Sequence, residues 1–255
     1  MEPAPNRFKM SLASKKLQIG LWSSLCSNIV AEILAQSGFN WILLDMEHSP
    51  NELPGLLAQL QAMKSGSANP VVRVAWNDPV LIKRVLDIGA TSILVPFVES
   101  EGEAERAVKA CLYPPAGIRG VTGSGRASQY GRNVNYFRDA NDNVCVLVQI
   151  ETISGLLELD RIAHMRGVDG VFIGPSDLAA SMGHIGNPLH EDVQVAIHKA
   201  GQTLADMGVP AGILSNSEES ARRYIKWGYR FVAVGSDIGL VTSGSTRLVA
   251  SFAEV

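Results

Sequence analysis

Cysteine is scarce in this chain: Cys26, Cys111 and Cys145 are the only three among 255 residues. An odd, scattered set builds no disulfide framework, so free thiols in a reducing cytoplasm are expected. An excess of either charge is also missing, the net being −3 with a pI near 6.0. That leaves no basic footprint for nucleic acid and no polybasic patch for a membrane surface. No apolar run approaches the ~20 residues of a membrane span. The opening Met1-Glu2-Pro3-Ala4-Pro5 lacks the basic and apolar stretches of an export signal. Catalytic signatures are absent too: there is no Gly-x-Ser-x-Gly elbow, no phosphate-binding P-loop and no dinucleotide fingerprint after the first apolar run. Lysine is absent from the strand ends. Lys9, Lys15, Lys16, Lys64, Lys83, Lys109, Lys199 and Lys226 fall in the N-terminal arm or on helices and their flanks, which argues against a Schiff base.

What is present is regular. Short apolar runs recur at 19–22, 41–44, 71–74, 93–98, 144–150, 168–173, 211–214 and 231–234. They are continuous rather than alternating, as in parallel strands buried on both faces. Amphipathic stretches follow them at 28–36, 54–63, 79–88, 103–111, 153–164, 193–207, 218–227 and 240–252. Gly38, Gly89, Gly208 and Gly228 stand where helices should end. The pattern predicts one α/β domain over 1–255, a (β/α)8 TIM barrel with 1–15 as an N-terminal arm. A doubly wound open sheet is the alternative, and it would favour a Gly-rich loop after the first strand. One connection is too long for the pattern. Residues 113–143 carry Pro114, Pro115, Arg119 and Arg126 and read either as an anion-holding active-site loop or as a structured surface excursion.

In a barrel of this kind the chemistry lies at the C-terminal strand ends. There the apolar runs stop at charged and amide groups: Asp45-Met46-Glu47-His48, Arg73, Gln149-Ile150-Glu151 and Ser176-Asp177. Glu151 and Asp177 end adjacent strands and suit a hard divalent cation such as Mg²⁺ or Mn²⁺; the alternative for each alone is a helix cap or a surface carboxylate. Strand alternation puts Gln149 on the same side as Glu151. His48 is the natural general base, with Asp45 and Glu47 near enough to orient it. Arg73 is placed to stabilise an oxyanion, or else to pair with Asp45 or Glu47. Metal-assisted enolisation is the simplest chemistry for this set.

These segments resemble a known family. Residues 45–51 (Asp-Met-Glu-His-Ser-Pro-Asn), 70–74 (Pro-Val-Val-Arg-Val), 113–120 (Tyr-Pro-Pro-Ala-Gly-Ile-Arg-Gly), 148–151 (Val-Gln-Ile-Glu) and 170–178 (Gly-Val-Phe-Ile-Gly-Pro-Ser-Asp-Leu) are similar to the HpcH/HpaI aldolases, the metal-dependent, pyruvate-specific class II group. The similarity runs in order from about residue 6 to 253. The resemblance implies His48 as base, Arg73 as the group stabilising enolate and oxyanion, and Glu151 and Asp177 as ligands of Mg²⁺, Mn²⁺ or Co²⁺. It implies that Gln149, Ser176 and Asp177 contact the 2-oxo acid and that Leu214 lines the aldehyde pocket. It also implies that Asp87 supports His48, whereas the pattern of the chain puts Asp87 at the far end of the third helix; whether Asp87 or Asp45 does so stays open at this point. Met46 stands where glycine is expected; its side chain could narrow the site but removes no catalytic group. The implied assembly is a homo-hexamer of three dimers in which the eighth helix, 240–252, packs on a neighbouring subunit. The implied reaction is reversible cleavage of a 4-hydroxy-2-oxo acid, of the 4-hydroxy-2-oxoheptanedioate or 2-dehydro-3-deoxyglucarate type, to pyruvate and an aldehyde. An acyl-thioester lyase of the citrate lyase kind and a non-catalytic metal-binding subunit are the alternatives.

Overall fold

The computed structural model describes residues 5–253. Eight strands, β1 (Gln18–Ser23), β2 (Trp41–Asp45), β3 (Asn69–Arg73), β4 (Ser92–Val95), β5 (Cys145–Ile150), β6 (Gly170–Ile173), β7 (Ala211–Leu214) and β8 (Phe231–Ser236), pair in parallel and in sequence order. β8 returns to β1 and closes the barrel. Around it run α1 (Arg7–Ala13), α2 (Asn28–Gln36), α3 (Leu53–Ala62), α4 (Pro79–Asp87), α5 (Glu101–Cys111), α6 (Tyr136–Asn143), α7 (Ile153–Leu157), α8 (Leu159–His164), α9 (Pro175–Ser181), α10 (Glu191–Asp206), α11 (Glu218–Lys226) and α12 (Asp237–Ala250). Ser27, Asp78, Ser100, Thr152, Ser217 and Ser236 cap helices that leave the C-terminal strand ends, each side chain accepting from a backbone amide of the first turn. Gly38, Gly89, Gly208 and Gly228 all have positive φ just past helix ends, the conformation that the sequence pattern requires of them.

Strand alternation separates two cores. Ile42, Leu44, Val72, Ile93, Val146, Val171 and Ile213 pack outward against the helices. Trp41, Leu43, Val71, Leu94, Leu147, Phe172 and Phe231 fill the barrel interior. The interior tolerates its large rings because their neighbours are glycines. A Cβ on Gly20, paired with Trp41, would lie 2.2 Å from the indole, and one on Gly212, paired with Phe231, would lie 2.1 Å from that ring. Helix α1 closes the N-terminal end, with Phe8 and Leu12 buried and Phe8 packed on Trp41 and Phe231 at centroid distances of 5.8 and 6.0 Å. The segment expected as an arm is therefore also a plug.

Two expectations change. The stretch 153–164 is two short helices, α7 and α8, meeting at Glu158. The connection 113–143 contains α6 and a turn at Arg126–Ser128, and it joins the end of α5 to the start of β5. Helix-to-strand connections lie at the N-terminal face, opposite the strand ends that carry catalysis. Within its own chain this segment is thus a structured excursion and not an active-site loop. Its arginines bond locally, Arg119 to Asp87 and Arg126 to the carbonyls of Ile88 and Leu60. In helix α12 only the first residue, Asp237, is buried, and Leu240, Val241, Leu248 and Val249 are all more than half exposed. No described helix is long and apolar enough to cross a membrane.

Candidate active site

Alternation decides which strand-end residues meet. Asp45 shares its side of β2 with Leu43, Arg73 its side of β3 with Val71, and Gln149 its side of β5 with Leu147, all barrel-interior positions. Polar groups thus form the uppermost layer of the interior. Arg73 is buried and donates from Nε to Asp45 Oδ1 at 2.8 Å and from Nη2 to Oδ2 at 2.6 Å, a two-pronged pair. Its Nη1 lies 2.7 Å from Glu47 Oε2, an ion pair whose geometry is not that of an aligned hydrogen bond. The guanidinium sits over the Trp22 ring at 4.7 Å, and Trp22 Nε1 donates to Asp45 Oδ2. Burial alone would raise the Asp45 pKa; hydrogen bonds from Arg73 and its charge outweigh that and hold it below the ordinary value.

Glu151 is as buried as Asp45, but among the described residues no cation pairs with it. Its Oε1 accepts from the Phe97 amide at 2.9 Å and its Oε2 from Gln149 Nε2 at 2.5 Å. Burial, reinforced by the nearby Glu47 and Asp177 carboxylates, pushes its pKa up to about 7. Burial likewise raises Glu47 to about 7 against the opposing charge of Arg73. Gln149 Oε1 is buried without a partner. Gly174 is needed for the close fit: a Cβ there would come within 2.6 Å of Glu151 Oε2. Asp177 follows one turn later, in the first turn of α9, brought back over β6 by Pro175 at the helix start.

A cavity of about 140 Å³ joins these groups, lined by Trp22, His48, Arg73, Gln149, Glu151 and Asp177, with Phe172, Ser176 and Leu214 among its remaining walls. A larger groove, about 510 Å³, lies outside the barrel between α8 and α10, but Asp160 is the sole carboxylate lining it. Arg73 pairs with Asp45 and Glu47 while Glu151 and Asp177 lie close by, so four carboxylates share one guanidinium in this layer, with an orphaned amide oxygen beside them. Oxygen donors in excess of local positive charge fit a hard divalent cation.

The chain matches the HpcH/HpaI aldolase/citrate lyase family over residues 18–243. It is 50% identical over 248 residues to the 5-keto-4-deoxy-D-glucarate aldolase of Escherichia coli, covering 97% of each chain. The chain belongs to the HpcH/HpaI aldolase/citrate lyase family. Its structure superposes on an HpcH/HpaI aldolase/citrate lyase family protein of Burkholderia cenocepacia with a TM-score of 0.94 at 38% identity, covering 96% of this chain and 98% of the other. An HpcH/HpaI aldolase of Desulfitobacterium hafniense shares the fold, with a TM-score of 0.90 at 24% identity over 99% and 98% of the two chains. The protein is accordingly an aldolase, a carbon–carbon lyase, and aldolases of this family generally depend on a divalent metal.

In this aldolase the structure gathers His48, Arg73, Gln149, Glu151, Ser176, Asp177 and Leu214 around one cavity. Asp45 joins them through Arg73. The His48 ring stands at the rim, 58% exposed, with Nε2 3.9 Å from Glu47 Oε2. Asp87 is not brought in: it ends α4, away from the mouth, and its Oδ1 accepts from Arg119 Nη2 at 2.9 Å. Met46 does not narrow the site, because alternation turns it outward onto the strand–helix core. Trp22 and Phe97 escaped the sequence reading. An aromatic inside a strand reads as core, and a donated backbone amide has no side-chain signature. His184, His190 and Asp192 also cluster, but the two rings stack 3.5 Å apart and 13° from parallel, so their in-plane lone pairs run side by side instead of converging. His190 Nδ1 there accepts from the Asp192 amide at the start of α10.

Proposed function

We propose that this aldolase cleaves a 4-hydroxy-2-oxo diacid of the 5-keto-4-deoxy-glucarate (2-dehydro-3-deoxyglucarate) type to pyruvate and an aldehyde, with Glu151 and Asp177 holding a divalent metal. The observation that carries it is the convergence of buried, cation-free Glu151 with Asp177, Arg73 and His48 on one cavity. Half-identity to a keto-deoxy-glucarate aldolase along nearly the whole length favours that substrate over 4-hydroxy-2-oxoheptanedioate. Bound there, Mg²⁺, Mn²⁺ or Co²⁺ supplies Lewis acidity to the 2-oxo acid.

The residues of the chain do the rest. His48, through water, takes the proton of the C4 hydroxyl; the C3–C4 bond breaks, the aldehyde leaves, and a proton returned to C3 completes pyruvate. Arg73 stabilises the negative charge that develops on oxygen, its planar fork held by Asp45 and by the Trp22 face. Gln149 and Ser176 contact the 2-oxo acid, and Leu214 borders the aldehyde. The exposed apolar side chains of α12, together with Ile29 and Ile33 on α2, support packing of α12 against a neighbouring copy in a hexamer of three dimers. In such an assembly Asp87 reaches a His48 only across the subunit boundary. Pyruvate methyl-proton exchange in deuterated water, without aldehyde, tests the reading. Exchange that stops on chelation and returns with Mn²⁺ supports it; exchange that persists after exhaustive chelation refutes the metal role.

A further inference from the structure

The seat of Glu151 contains an unusual backbone. Phe97 has φ +50, a left-handed conformation that costs little for glycine or asparagine and is unfavourable for a bulky side chain. Such outliers persist where the surroundings over-determine them. Three features do so here. Pro96 has no N–H, so the first donor beyond β4 is the Phe97 amide, and the twist aims it at Glu151 Oε1. The next amide, that of Val98, donates to the carbonyl of Gln149 at 3.0 Å, which ties the same bend to β5 two residues before the carboxylate. The Phe97 ring lies against Trp76, centroids 5.7 Å apart and 33° from parallel, although Trp76 is itself half exposed. We infer that Phe97 is a positioning residue: its left-handed backbone, held by the Trp76 ring, points Glu151 at the metal and sets how tightly the centre grips a divalent cation.

This rests on the reading of Glu151 as a metal ligand, and the test separates the two. Mn²⁺ affinity is measured by electron paramagnetic resonance of the free ion, with a thermal melt of each metal-free variant as the folding control. Phe97→Asn keeps access to the left-handed region and should bind Mn²⁺ within about threefold of the parent. Phe97→Val resists that region and should weaken binding by about tenfold or more, the range typical of lost support around a ligand. A folded Phe97→Val with parental affinity, or a Phe97→Asn as weak as Phe97→Val, overturns the inference. Should Phe97→Val not fold, Trp76→Ala decides. It should weaken Mn²⁺ binding in the parent but not once Phe97→Asn has removed the strain it offsets; equal loss in both backgrounds, or in neither, overturns the inference. A parent that binds no Mn²⁺, or binds it unchanged after Glu151→Gln, overturns the metal reading itself and this inference with it.

Discussion

Each end of this barrel buries one arginine against a carboxylate and an aromatic face, and the two do different work. At the N-terminal end Arg119 faces Asp87, one charge for one, with the Tyr113 ring beneath the guanidinium at 4.3 Å and the apolar α1 plug sealing the bore. At the C-terminal end Arg73 faces two carboxylates with two more close by, and the layer opens into a cavity. A balanced pair already neutralises itself and serves mainly stability. An unbalanced set around an opening serves binding, because burying negative charge without a partner is costly unless a ligand supplies the cation.

The comparison is broken most directly at the open end. His48→Ala should lower turnover by about 10²–10⁴-fold, the usual contribution of a positioned base. The melting temperature should stay within a degree or two, because the ring is mostly solvated and makes no close hydrogen bond from its side chain. A normal rate in this variant moves the base elsewhere. Next come the two arginines exchanged in parallel. Arg73→Lys keeps the charge but loses the fork over Asp45, and turnover should fall by about 10²-fold or more. Arg119→Met should cost up to about 3 kcal/mol, less than a fully buried pair because Asp87 is partly exposed, and should lower turnover per folded molecule far less than Arg73→Lys does, since Asp87 reaches a His48 only across a subunit boundary. Both are read from denaturant melts and steady-state rates on the same samples, and the reverse pattern would invert the assignment of the two ends. Trp41→Ala, in the sealed half, should cost about 3–5 kcal/mol by leaving a cavity above Gly20, with turnover of the folded fraction unchanged.

The smallest effect, and the sharpest, is on pH. Folding raises Glu151 from 4.5 to about 7, so the folded metal-free state binds the extra proton between those values. Its stability should therefore decline as pH rises from about 4.5 to 7 and level off above, the opposite of a salt-bridged carboxylate. Mn²⁺ competes with that proton, so its affinity should rise up to about tenfold per unit below pH 7 and flatten above. Glu151→Gln should remove the stability slope; a slope that survives it belongs to Glu47, which burial also raises to about 7.

Much of this was legible in the sequence. The fold followed from eight continuous apolar runs and from the glycines past the helix ends, because both signals are local in the chain. The site followed from polar residues that terminate those runs, since burial of charge at the end of an apolar strand calls for a reason. Met46 shows how close such a reading comes and where it slips: it lies one residue from a site position, and a single step along a strand turns a side chain to the other face.

By itself, then, the sequence determined the strand–helix alternation and the polar groups that end the strands at one face. Those depend on side-chain chemistry and on periods of a few residues. Only the tertiary structure decided that Arg73 is divided between Asp45 and Glu47, that Glu151 is held by a backbone amide from β4's end, that 113–143 lies at the opposite face from the cavity, and that the apolar side chains of α12 stay exposed. Each of these joins residues far apart in sequence, and closure of the barrel, which no local pattern encodes, is what brings them together.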